Sequence, residues 1–342
     1  MGLHASWQEA RLLGRDLSAR KFWNAARVTA SYYAARVSGR PIQWGVPVSI
    51  GIEPTTACNL GCPHCPSGLK SFTRPTGKLP FDRFKALIDE LHPDLLYLIL
   101  YFQGEPYLNP DFLRMAAYAT QHRVHTMSST NAHFLSPEKA AETVEAGLGR
   151  LIISMDGTTQ ETYERYRKTG QLEKVLEGTN NLITAKRLAQ KKRPFVDLQF
   201  IVFAHNEHEI NEVKAMGKKL GVDRVSIKTA QIYDHENVDE WLPTDDKYAR
   251  YEKTESGQVR IKNELLNHCW KLWHGAEITW DGRVLPCCFD KDATHEMGRF
   301  PEEDFRRIWH GDAYRNFRKR LLTGRKGIDI CQNCTEGTRV WA

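Results

Sequence analysis

The 342-residue sequence predicts an α/β protein, a partial (β/α)6 TIM-like barrel set between an N-terminal helical extension and a small C-terminal domain. Three observations predict it. Short β-rich runs alternate with helical patterns from residue 48 to about residue 230; the segment before them reads as helix; the segment after them loses the alternation. Strand, helix, strand repeated in this way calls for parallel strands joined by crossover helices. Six strands are too few for a closed eight-stranded barrel, so an open one is expected, with its site at the C-terminal strand ends.

Residues 1–44 form the extension. Leu12, Ala19, Phe22, Trp23, Ala26, Ala30, Tyr33 and Val37 recur at helical spacing, and Gly39-Arg40-Pro41 stops the pattern. Seven basic residues (Arg11, Arg15, Arg20, Lys21, Arg27, Arg36, Arg40) stand against Glu9 and Asp16, a balance of +5 out of the chain's +6. Such a segment is either a solvated cationic face or a contact surface for a membrane or an acidic partner.

The barrel is expected over residues 45–235. Its strands are read at Val48–Glu53, Leu95–Phe102, Val124–Ser128, Leu151–Met155, Val196–Phe203 and Arg224–Lys228, with helices near 81–91, 110–121, 136–146, 172–191 and 206–220. Asn206 is expected to cap the last of these. Residues 236–342 form the remaining domain. Residues 232–263 read as a polar linker, and residues 276–285 as a hairpin turning at Asp281-Gly282 with both positions at positive φ. A helix follows at 302–323. The basic run Arg315, Arg318, Lys319, Arg320, Arg325 and Lys326 reads as a solvated helix face. It has no aromatic interleaving, and no nucleic-acid partner is expected.

Hydrophobic residues at 41% and charged residues at 26% are the balance of a soluble globular protein. No apolar run approaches the roughly 20 residues that span a bilayer, and no secretory core opens the chain, so the expected location is the cytoplasm. Disulfides would need an oxidising compartment; clustered thiolates at short spacing point to metal instead.

Eight cysteines are present, three of them in Cys58-Asn59-Leu60-Gly61-Cys62-Pro63-His64-Cys65, directly after the first strand. These spacings let one loop wrap three corners of a cubane cluster, with thiolate as the iron ligand. One iron then lacks a protein ligand, and a structural zinc would want a fourth donor.

This segment resembles the hallmark of the radical S-adenosylmethionine (radical SAM) superfamily, Cys-x3-Cys-x2-Cys after the first barrel strand. The resemblance implies a [4Fe-4S] cluster on Cys58, Cys62 and Cys65. Its open iron would bind S-adenosylmethionine (SAM), and reduction would yield a 5′-deoxyadenosyl radical. His64 would lie against adenine. Gln103-Gly104-Glu105-Pro106 is similar to the family's Gly-Gly-Glu-Pro turn, with Gln103 in place of the first glycine, and Glu105 would accept hydrogen bonds from the substrate ammonium. Ser128-Ser129-Thr130-Asn131 matches the turn lining the cofactor pocket. Ser154 and Asp156 would meet the ribose hydroxyls, and Arg167 the methionine carboxylate.

Cys269, Cys287, Cys288, Cys331 and Cys334 bracket the hairpin and last helix. Cys331-Gln332-Asn333-Cys334 is a two-residue chelate suited to zinc or an iron–sulfur edge. The layout resembles the SPASM and twitch auxiliary-cluster domains, with cysteines for one [4Fe-4S] cluster: Cys269, Cys287, Cys331 and Cys334. Adjacent side chains diverge, so Cys287 and Cys288 do not both fit one iron site; Cys287 is preferred from its distance to Cys269, which leaves Cys288 as a packed thiol, an alternative ligand or a hydrogen donor.

By resemblance the reaction begins with abstraction of a substrate hydrogen atom. One auxiliary cluster suggests an electron route out and a two-electron oxidation of a small molecule. The electron donor would be flavodoxin or ferredoxin. The alternatives are radical modification of a peptide or protein, and a non-catalytic iron–sulfur electron-transfer protein, which would have no use for Glu105, Ser154, Asp156 and Arg167.

Overall fold

Six parallel strands stand side by side in chain order: β1 (Ser49–Ile52), β2 (Tyr97–Ile99), β3 (His125–Thr130), β4 (Arg150–Ser154), β5 (Phe195–Val202) and β6 (Arg224–Thr229). The computed structural model describes residues 2–233, 238–255, 258–338 and 340, with side chains from residue 7. Ile50 of β1 pairs with Leu98 of β2, and Leu98 with Thr126 of β3. The crossover helices Phe81–Leu91, Phe112–Gln121, Pro137–Glu145, Leu172–Leu188 and Ile210–Leu220 sit where the alternation predicts them. Each turns one apolar face inward. In the first, Phe84, Leu87, Ile88 and Leu91 are buried, each worth roughly 1.5–3 kcal/mol in area removed from water.

After a separate hairpin of β7 (Tyr251–Lys253) and β8 (Val259–Ile261), the chain returns to the main sheet. Strand β9 (Gly275–Ile278) lies parallel to β1 on its open side; β10 (Arg283–Leu285) and β11 (Gly298–Arg299) continue antiparallel. The result is one nine-stranded sheet, ordered β11-β10-β9-β1-β2-β3-β4-β5-β6, that continues from the barrel strands into those after residue 235.

Two local expectations need correction here. The β9–β10 turn is not type I′. Only Gly282 is at positive φ (93°), and Gly282 N donates to Thr279 O at 2.9 Å. That is a tight turn closed by one left-handed glycine, in which Asp281 keeps ordinary backbone angles. The segment 232–263 is also more than a linker. It holds the helix Val238–Trp241 and the β7–β8 hairpin, and Trp241 is buried against Tyr166 and Phe203.

Two helices, α1 (Gly2–Gly14) and α2 (Ala19–Ser38), close the barrel at the N-terminal ends of its strands. The Ser18 side chain caps α2, and Gly39 at φ 66° ends it. Asn24 donates to the carbonyls of Val46 and Asp94, just ahead of β1 and β2. Lys21 donates to the Arg123 carbonyl ahead of β3, and Asp16 meets His125. Glu9 holds Arg150 and Arg224, the first residues of β4 and β6. The buried face of α2 is therefore Lys21, Asn24, Val28, Ser31, Tyr32 and Ala35. Of the apolar series read from the sequence, Leu12 is buried, whereas Phe22, Trp23, Ala30, Tyr33 and Val37 face outward.

Candidate active site

The cysteine loop leaves β1 at its C-terminal end and is fastened to the segments after β2 and β3 and to the residue pair after the helix Gln160–Tyr166. Glu105 N donates to Ala57 O at 2.8 Å, Asn131 Nδ2 to Asn59 Oδ1 at 2.8 Å, and Gly61 N to Lys168 O at 3.0 Å. Gly104 makes the closest approach. Its φ is +74°, and a Cβ there would lie 2.3 Å from Thr55 O and 2.7 Å from Ala57 O. Only glycine fits.

Cys58, Cys62 and Cys65 line one cavity together with Gly104, Glu105, Asn131, Ser154 and Arg167. These are eight of the ten residues expected there. Burial pushes the Cys58 thiol up to about 12 and Cys62 upward as well. Such thiols lose their protons only to a compensating cation, as when a metal binds. Glu105 is buried, which lifts its carboxyl to about 7. Three donors support its charged form: Thr130 Oγ1 at 2.7 Å, Asn131 N at 2.8 Å and Tyr107 N at 3.3 Å. Across the cavity, Arg167 Nη1 lies 3.9 Å from Cys62 Sγ. The cavity thus offers three thiols, one carboxylate and one guanidinium to a ligand carrying both charges. This donor set fits an iron–sulfur cluster with an amino acid beside it.

The other two expected residues stand back from that cavity. Asp156 is fully buried, with Oδ2 accepting from Arg167 Nε at 2.5 Å and Oδ1 from Ile201 N at 2.7 Å. It orients Arg167 and joins β5. The His64 ring meets Trp241 edge-on, centroids 4.9 Å apart, behind the loop. Asn206 stands at the N-cap position of the short helix Glu207–Glu209, but its side chain makes no capping bond. Buried between strand ends, it accepts from Phe203 N and donates to the carbonyls of Asp156 and Ile201.

The sequence reading passed over several side chains at this site. Tyr101 and Ser67 line the cavity, and Ser67 accepts from Gly104 N at 2.9 Å. Glu277 on β9 lies over Gly51, where a Cβ would come within 1.7 Å of its carboxylate. Burial raises its carboxyl. An acid between Ala276 and Ile278 in an alternating strand was the available signal; it is ordinarily read as the solvent side.

The second cysteine set gathers from three segments. Cys269, Cys331 and Cys334 are buried. A Cβ on Gly337 (φ 84°) would come 2.3 Å from Cys269 Sγ. Arg325 Nη2 donates to Cys334 Sγ at 3.5 Å, and its charge acts on Cys269 and Cys331 too. Cys287 and Cys288 interact first with each other; Cys287 also feels the charges of Cys269 and Cys334, and Cys288 lies 3.8 Å from Lys271 Nζ. Four thiols with one guanidinium fit an anionic cluster. Among the described residues no three His, Cys, Asp or Glu side chains converge as a single ion would require; a cubane spreads its thiolates over separate corners. Arg325 and Arg318 also correct the expectation of a solvated basic face. Both are buried, Arg318 with its guanidinium 4.3 Å from the Trp309 ring centroid.

Comparisons with known proteins agree with this geometry. The family model for the Radical SAM superfamily matches residues 52–217, and one for an iron-sulfur cluster-binding domain, SPASM, matches residues 269–335. The AdoMet-dependent heme synthase of Methanosarcina barkeri is 27% identical over 333 residues, 84% of this chain and 91% of that protein. The mycofactocin maturase MftC of Mycobacterium ulcerans is 31% identical over 175 residues, 51% of this chain and 45% of its own, so the chain spans under half of that relative. Among solved structures, Streptococcus suis SuiB bound to S-adenosylmethionine shares the fold with TM-score 0.63 at 14% identity, over 90% of this chain and 76% of SuiB. BtrN in complex with AdoMet and 2-DOIA shares it with TM-score 0.52 at 18% identity, over 85% and 94%. Among the described residues no helix is long and apolar enough to cross a membrane. The first domain binds a [4Fe-4S] cluster and SAM, and the second implies an auxiliary iron–sulfur cluster. The chain is a member of the radical SAM superfamily, a radical SAM enzyme whose barrel is followed by a SPASM domain.

Proposed function

We propose that this enzyme removes a hydrogen atom from a small-molecule substrate and completes a two-electron oxidation by passing an electron to an auxiliary [4Fe-4S] cluster. One relationship supports the reading: a single lysine lies within electrostatic reach of a cysteine from each stretch of the chain, Cys65 after β1 and Cys288 beside Cys287. Lys291, its ammonium 4.3 Å from the Tyr233 ring centroid, feels the charge of both Cys65 and Cys288. A substrate held beside Lys291 would come near both sets.

Cys58, Cys62 and Cys65 would hold three irons of the first cluster. When bound, the cluster with SAM supplies reductive carbon–sulfur cleavage and a radical that abstracts hydrogen. Arg167, held by Asp156, would orient the SAM carboxylate, and Glu105 its ammonium. Gly104 lets the ligand approach the backbone, and Asn131 and Ser154 would offer polar contacts. Cys269, Cys287, Cys331 and Cys334 would hold the auxiliary cluster, with Arg325 offsetting its charge. A flavodoxin or ferredoxin would deliver the first electron.

The near full-length match to a heme synthase favours a small molecule. The match to mycofactocin maturase, and the fold shared with SuiB, whose structure with the precursor peptide SuiA is known, favour a peptide substrate as the second reading. The test is Cys331→Ala, loaded anaerobically and checked for the first cluster and SAM binding. Under this account it forms 5′-deoxyadenosine without oxidised product. Normal product yield from a variant lacking the auxiliary cluster excludes the oxidase role, and mass spectrometry of the product separates small molecule from peptide.

A further inference from the structure

Helix α2 buries Val28, Tyr32 and Ala35 together with three polar residues, and leaves a second set of large apolar side chains in solvent. Lys21, Asn24 and Ser31 are turned inward, while Phe22 (57% exposed), Trp23 (66%), Tyr33 (47%) and Val37 (91%) point out. Among the described residues, seven of eleven exposed large hydrophobic side chains fall in residues 7–44. That concentration is far above scattered surface hydrophobics, and it marks a contact surface.

The charge around the stripe has one sign. Arg11, Arg15, Arg27, Arg36 and Arg40 have no ion pair among the described residues, whereas both acids of the segment are spent inward: Glu9 on Arg150 and Arg224, Asp16 on His125 and Arg193. Beside the stripe lies a groove of about 570 Å³ between α2, the Trp44–Val46 loop and the helix Phe305–His310. Trp23 and Trp44 flank it. Arg20, Arg27 and Arg306 line it, with Asp94 as its one acid, already held by Arg20 and Arg306. Arg27 is left to meet an incoming anion.

Aromatic side chains interleaved with arginines, and no outward acid, match the interface of an anionic bilayer. Tryptophan and tyrosine rings sit at headgroup depth, and each nearby arginine adds attraction to acidic lipids. A second copy placed symmetrically on this face would set arginines against arginines. We propose that the outward face of α2 seats on an anionic phospholipid surface, the groove receiving a phosphate headgroup at Arg27. Because α1 and α2 close the N-terminal ends of the strands and the cavity opens at the other end, the seated enzyme takes its substrate from the aqueous side.

The full chain, loaded with iron, is tested by co-sedimentation with phosphatidylcholine vesicles with and without phosphatidylserine, at low and high salt. Binding is expected only with phosphatidylserine and should fall with salt. Arg27→Glu with Arg36→Glu should weaken it about tenfold or more. Phe22→Ser with Trp23→Ser should weaken it at both salt levels. All variants should keep their iron and SAM cleavage, since these residues lie away from the cavity. Three outcomes overturn the assignment: no binding to acidic vesicles, equal binding to neutral ones, or equal retention on polyglutamate or RNA, which would make the face a general polyanion or protein site.

Discussion

Asp156 and Arg167 form a buried pair beside the first cysteine loop. Arg167 Nε donates to Asp156 Oδ2 at 2.5 Å, which leaves Nη1 free to reach toward Cys62. The second carboxylate oxygen is occupied by Ile201 N, so the arginine is fixed relative to β5. Breaking one side of such a pair strands a buried charge and typically costs about 3–5 kcal/mol. Asp156→Asn keeps the shape but removes the charge that holds Arg167. With iron content unchanged, SAM affinity should fall about tenfold or more, roughly 1.4 kcal/mol. Equilibrium binding under anaerobic conditions measures it, and unchanged affinity would show that Arg167 needs no partner.

Two glycines of the same site should respond differently to one methyl group. Gly104→Ala forces a Cβ into the carbonyls of Thr55 and Ala57 at φ +74°, whereas a Cβ on Gly61 meets only Lys168 Cβ at 3.6 Å. Gly104→Ala should destabilise by about 1–3 kcal/mol or more and lower first-cluster occupancy. Gly61→Ala should be near neutral. Thermal melting and iron per chain distinguish the two.

Acid should release the N-terminal helices. Burial alone would raise the carboxyls of Asp16 and Asp94. Hydrogen bonds and charge from His125 and Arg193, and from Arg20 and Arg306, outweigh it and hold both below the usual 3.8. A carboxyl lowered in the folded state contributes stability above its unfolded pKa and loses it as pH falls through the folded one. Protection of residues 7–38 in hydrogen exchange should therefore hold above about pH 4 and fall below it, in apoprotein, where cluster loss cannot intervene. Asp94→Asn should lower that protection already at neutral pH. If protection is flat through this range, the ion pairs are not what fastens the helices.

Much of this architecture could be read from the chain because period and position agree. The strand–helix alternation located all six barrel strands to within a few residues, and Gly104, Glu105, Asn131, Ser154 and Asp156 fell in or within a few residues of strand C-terminal ends. What escaped was direction. Periodicity on α2 marks a stripe but not which way it faces. Lys21 and Asn24 turn inward because carbonyls at the strand starts need donors, a demand visible only once the strands are assembled. Asn206 looked like a cap, yet open carbonyls at Asp156 and Ile201 take its amide. Arg318 and Arg325 read as solvated charge, but Trp309 and the second cysteine set provide buried partners from distant segments.

The central claim is that Cys58, Cys62 and Cys65 hold the cluster that activates SAM, while a second set of thiols independently holds another. Three ligands plus four imply about eight irons per chain after anaerobic reconstitution. Replacing Cys58, Cys62 and Cys65 together by Ala should leave about four irons, keep the auxiliary cluster's spectrum and abolish formation of 5′-deoxyadenosine. Continued SAM cleavage by that triple variant, or loss of all iron from a chain that remains folded, would contradict the account.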